Sequence, residues 1–160
     1  MNLRFKRYTW KDVLWASMAL IVGVAIVYFG GRLLNVSLEV YYGVSTYNIL
    51  WVVSLILVPF IAGLFVSFIY GLGGKILAHF APLIVRCYEY YVIDASLFPD
   101  GVSLLPIGFW ILIVIVSVEA AGMGGFVGEV IIKRTYGRSP KHKVHKRYQT
   151  KETEKVDLGN

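Results

Sequence analysis

Leu104 to Ile132 reads LLPIGFWILIVIVSVEAAGMGGFVGEVII, an apolar run opened by the turn signal Pro99-Asp100-Gly101. A helix needs about 20 apolar residues to cross the hydrocarbon of a bilayer, and this run exceeds that. Its interior charge is a single carboxylate, Glu119, with Glu129 close to the basic end. An ionisable side chain inside a span calls for a partner, a proton or a task. The run therefore sets two expectations: a transmembrane helix over 104–132, and a functional or structural role for Glu119.

The rest of the chain has the same character. Of 160 residues, 57% are hydrophobic and 16% charged, and the apolar residues fall in uninterrupted blocks. Three or four spans fit this length, leaving no room for a separate soluble domain. The one cysteine, Cys87, excludes an intrachain disulfide and a cysteine zinc cluster.

Val13 to Gly31 forms the first block and closes on Tyr28-Phe29-Gly30-Gly31-Arg32 rather than on a small-residue cleavage site, so it reads as a retained anchor. No charge appears between Glu39 and Lys75. Tyr41, Tyr42 and Tyr47 suit an interfacial belt, and the second span starts near Ile49 with a kink expected at Pro59. Ile76 to Phe98 is the ambiguous segment, because it carries His79, Arg86, Glu89 and Asp94. If it did not cross, one of the two basic clusters would be stranded outside.

The resulting expectation is an all-α integral membrane protein with four transmembrane helices over about 13–34, 49–74, 76–98 and 104–132 and both termini cytoplasmic. The alternative is three spans plus an interfacial segment. Residues 1–12 form a basic cytoplasmic N-terminus (Arg4, Lys6, Arg7 and Lys11) and residues 133–160 a basic tail expected to be unstructured. The tail holds Lys133, Arg134, Arg138, Lys141, Lys143, Lys146, Arg147 and Lys151 without an intervening acid. The positive-inside rule and anionic lipid account for both clusters more simply than a nucleic-acid or ribosome site.

Two constellations stand out. On the four-span reading Arg86 and Glu119 fall near mid-depth, and Glu89 shares the face of Arg86, giving an expected Arg86, Glu89 and Glu119 cluster with one excess negative charge. We read it first as an interhelical staple, with a proton or cation relay as the alternative. Small residues recur every fourth position at Gly63, Ser67 and Gly71 and again at Ser117, Ala121 and Gly125, overlapping the pair Gly124 and Gly128. Such stripes let helix backbones approach closely. A local pair is expected between Glu129 and Lys133.

Other patterns lead nowhere. Gly71-Leu72-Gly73-Gly74-Lys75 has the wrong spacing for a phosphate loop, and the glycines after Gly122 lie within an apolar helix rather than after a strand. His142 and His145 lack an acidic or thiolate companion, His79 lacks a second histidine within a span, and Cys87 has no neighbouring base. No metal, cofactor or catalytic residue is expected. The function class expected is a non-catalytic membrane subunit or assembly factor in a prokaryotic cytoplasmic membrane, bound to other transmembrane subunits or to itself and to anionic lipid. The alternative is a small oligomeric channel or ion-coupled transporter using Glu119.

Overall fold

The structure, a computed structural model, describes residues 10–93, 98–99 and 101–136. Arg4, Lys6, Arg7, Asp94, Asp100 and the tail residues Arg138, Lys141, Lys143, Lys146, Arg147 and Lys151 lie outside the described residues.

Six helices and a two-residue ribbon make up the described chain. In order they are α1 (Trp10–Leu33), β1 (Val40–Tyr41), a 3₁₀ turn (Gly43–Thr46), α2 (Ile49–Val52), a π-helical turn (Val53–Leu57), α3 (Val58–Tyr70), α4 (Gly74–Ala78), α5 (Phe80–Val92), β2 (Ser103–Leu104) and α6 (Ile107–Tyr136). Among the described residues, three stretches are long and apolar enough to cross a membrane: Asp12–Leu33, Ile49–Tyr70 and Ile107–Thr135. They mark the chain as a membrane protein, with α1 turning most of its surface outward.

The second rod is continuous through α2, the π turn and α3, and Pro59 accounts for its irregularity. Val58 donates its N–H to the Val53 carbonyl, five residues back, and Pro59 has no N–H to give. The carbonyls of Ser54 and Leu55 thereby lose their regular helical donors. Both recover partners from other helices: Arg86 Nη2 donates to Ser54 O at 3.3 Å and Ser117 Oγ to Leu55 O at 3.2 Å. Inside a bilayer such replacement is required, since water is not there to substitute.

The third rod is made of two pieces. α4 and α5 meet at His79, and helical structure ends at Val92 rather than near Phe98. Together Gly74 to Val92 make a rod of roughly 28 Å. Contacts fix its direction. Gly74 packs on Ser67 and His79 on Gly122, while Tyr90 stacks on Trp110 with ring centroids 5.2 Å apart. The rod thus runs antiparallel to α6 over nearly the whole depth of the bundle. α1 is antiparallel to α3 likewise, with Gly23 beside Val66 and Gly30 beside Val58.

One end of the bundle is tied by the ribbon, where Val40 pairs with Leu104 and Tyr41 with Ser103, extended by Leu105 N–H to Glu39 O at 3.0 Å. Leu38, Trp51, Leu55, Leu105, Trp110 and Ile113 form the apolar core beneath it. At the other end Ala19, Val66 and Ala78 pack together, with Val27, Ala62 and Val85 between the two. The start of α1, the α3–α4 turn and the end of α6 share that second end.

Close approach of α3 and α6 depends on glycine. A Cβ on Gly63 would meet the Ala121 carbonyl, and one on Gly124 the Phe60 carbonyl. Ser67 adds a hydrogen bond from Oγ to Gly125 O at 2.8 Å, and Gly128 lies against Ser67 and Leu64. Gly71 differs from the expectation. It ends α3 at φ +89°, with open space where a Cβ would go, so it terminates the helix instead of packing it.

Candidate functional site

Among the described residues, the largest fully buried side chain is that of Arg86, on α5, at 1% exposure. A guanidinium has five N–H donors and no way to lose its charge at neutral pH, so burial obliges the fold to surround it with acceptors. Nη1 donates to Glu89 Oε2 at 2.7 Å, one helical turn further along α5. The same nitrogen lies 3.7 Å from Glu39 Oε1, and Nη2 takes the Ser54 carbonyl released by the π turn. Helix α5, the loop after α1 and the irregular start of the second rod thus converge on one cation.

Glu39 reaches this position because the loop folds inward. Leu38 is wholly buried in the apolar core, and the Glu39 backbone is held by Leu105. Glu39 is 3% exposed. Burial pushes the Glu39 carboxyl up to about 7; the neighbouring Glu89 adds to the rise and Arg86 opposes it. Among the described residues, Glu39 Oε1, Arg86 Nε and Ser54 Oγ are buried without a hydrogen-bond partner. Above them a cleft of about 510 Å³ opens between the end of α1 and α5, lined by Arg32, Asn35, Ser37, Glu39, Tyr88 and Glu89 among others. Arg32 is drawn to one wall, its guanidinium 4.5 Å from the Tyr28 ring centre. Two carboxylates against one buried cation keep one negative charge in excess, which one proton neutralises.

Glu119 does not belong to this cluster. The expectation paired Arg86 with Glu119, but Glu119 is exposed on the outer face of α6. With His79 opposite Gly122 and Tyr90 opposite Trp110, Arg86 lies level with about residue 115, a full turn from Glu119. The acid that completes the arginine site is Glu39, from a loop that reads as extramembranous. Leu38 and Val40 on either side of Glu39 were the available signal, since apolar residues in a loop mark a stretch that packs against the bundle, although they do not fix which way the acid between them turns. Arg86 and Glu89 are brought together as their spacing implied.

Glu129 also departs from expectation. Its Oε1 turns toward the glycine turn after α3 and accepts N–H groups from Gly73 at 2.7 Å and Lys75 at 3.1 Å. A carboxylate there caps α4 and fastens the turn to α6, in place of a pairing with Lys133. His79 is half-buried, its Nδ1 2.7 Å from Lys75 O. Cys87 is exposed. Lys133 and Arg134 occupy the exposed last turn of α6.

The chain matches no protein-family model, no curated protein and no solved structure.

Proposed function

We propose that this chain is a non-catalytic multi-pass subunit or assembly factor of a larger complex in a cytoplasmic membrane, crossing four times with both termini on the cytoplasmic side. The observation that carries the reading is the division of labour among its polar groups. Inside the bundle, Arg86, Ser67, Ser117 and Glu129 all bond to backbone atoms of neighbouring elements. They hold irregular helices together. On the outside, α6 turns a carboxylate, Glu119, toward what surrounds the molecule. A scaffold whose inner polarity is committed and whose outer face still carries an intramembrane acid is suited to joining other transmembrane helices. The basic residues Lys133 and Arg134, leading into the lysine-rich tail, suit the anionic inner leaflet, where each basic residue near the surface is worth about 1 kcal/mol.

Native-detergent isolation of the full chain from its own membrane, with intact-complex mass spectrometry, tests the reading. The expected result is a heteromeric assembly of fixed stoichiometry. A homo-oligomer that conducts ions once reconstituted, with conduction lost in Glu119→Gln, would replace it with a channel or transporter.

A further inference from the structure

Glu119 lies in the part of α6 least suited to a charge. It is 12 residues beyond Ile107 and 14 before Lys133, roughly 18 Å and 21 Å along the helix, which places it near the middle of a bilayer. Its neighbours on that face are apolar and outward. Leu112 and Ile115 are each 55% exposed, and Met123 and Phe126 each 56%. The spacing of Leu112, Ile115, Glu119, Met123 and Phe126 is three, four, four, three, the seam along which one helix receives another. Rotation of α6 cannot hide the acid, because the opposite face is locked by Gly63 against Ala121 and by Gly124 against Phe60.

The chain's own cations are placed elsewhere. Arg86 is committed to Glu89, Glu39 and Ser54. The other described lysines and arginines, Lys11, Arg32, Lys75, Lys133 and Arg134, all sit at helix ends. His79 is bonded to Lys75 O, with its Nε2 edge facing Gly122. A second copy would bring acid against acid, and among the described residues it has no outward lysine or arginine at this depth to offer.

We propose that the α6 face centred on Glu119 docks a transmembrane helix of a different chain that carries a lysine or arginine at mid-membrane depth. The proposal rests on the subunit reading for the existence of such a partner, while its chemistry is tested apart from it. The docked pair consists of carboxylate and cation shielded from lipid, with Ile115 and Met123 packing on either side. Polar pairs of this kind select partners and register in a medium where hydrophobicity alone does not discriminate.

The full chain is reconstituted in vesicles with synthetic polyleucine helices bearing a central lysine, leucine or glutamate, and association is read by energy transfer. The lysine helix should associate at least about tenfold more strongly than the leucine helix, and Glu119→Leu should erase that preference. His79→Phe and Lys75→Ala should leave it intact. Equal association of the lysine and leucine helices would overturn the proposal, as would self-association of the chain lost in Glu119→Leu. Loss of the preference in His79→Phe or Lys75→Ala would do so too, by placing the partner of Glu119 within the chain. Photocrosslinking from Met123 in the native membrane separates the two readings. A fixed heteromeric complex crosslinked only through other faces refutes the docking proposal and spares the subunit reading. Lysine preference without any native heteromer does the reverse.

Discussion

Arg86 shows how one buried charge shapes its surroundings. Removing it would strand Glu39 and Glu89 and leave the Ser54 carbonyl without a donor; deleting one partner of a buried pair costs about 3–5 kcal/mol. Glu39 is the titrating member. Its carboxyl in the docked loop is raised to about 7 from 4.5, chiefly by burial. The docked form therefore holds its proton more tightly than the undocked form. Between about pH 4.5 and 7 the undocked loop ionises first, so loop docking weakens as pH rises through that window and levels off above it. Amide hydrogen exchange at Leu38 to Tyr41, followed from pH 5 to 8, should show protection falling with pH. Glu39→Gln should flatten the profile. A wild-type profile already flat would mean that the carboxyl does not titrate in the docked loop.

At the scale of elements, the π turn before Pro59 is the feature on which the helix contacts converge. Ser117 donates to the Leu55 carbonyl because Pro59 cannot. Ser117→Ala should therefore cost about 1–3 kcal/mol of unfolding stability, the usual penalty of an unsatisfied buried carbonyl. In a Pro59→Ala background, where residue 59 regains an N–H, the same change should cost much less. Thermal unfolding of the four proteins in one detergent completes the cycle, and identical costs in both backgrounds would sever the link between proline and serine. The proline irregularity, three of the rods and the small-residue positions other than Gly71 were legible in sequence, because each depends on local spacing and hydropathy. The partners of Arg86 and Glu129 were not. Glu39 meets Arg86 from a loop distant in sequence, and Glu129 answers backbone N–H groups of a glycine turn, which leave no mark of their own in the residue pattern. The face of Glu119 was obscured for another reason. A carboxylate in an apolar run looks buried by composition, whereas burial is set by which glycines the neighbouring helices occupy.

At the scale of the whole molecule, the ribbon between Val40–Tyr41 and Ser103–Leu104 constrains topology more firmly than hydropathy does. It holds the chain just after α1 and just before α6 at the same end of the bundle. α2 and α3 carry the chain from that end to the Gly71–Gly74 turn, and α4 and α5 bring it back along α6 as a rod of roughly 28 Å, the length the proposed fourth crossing requires. The proposed fourth crossing is compatible with Arg86, whose charge is neutralised by Glu39 and Glu89 within the protein. Single cysteines at Ser45, Leu72, Ser103 and Thr135, in a Cys87→Ser background, test the arrangement with a membrane-impermeant maleimide on intact cells. With four crossings and cytoplasmic termini, Ser45→Cys and Ser103→Cys label from outside, and Leu72→Cys and Thr135→Cys only after permeabilisation. If α4 and α5 lay on the surface instead, Ser103→Cys would share the side of Leu72→Cys and oppose Ser45→Cys. That outcome would break the ribbon in the membrane-embedded protein and the Arg86 site with it, since Glu39 reaches Arg86 only from a loop the ribbon holds in place.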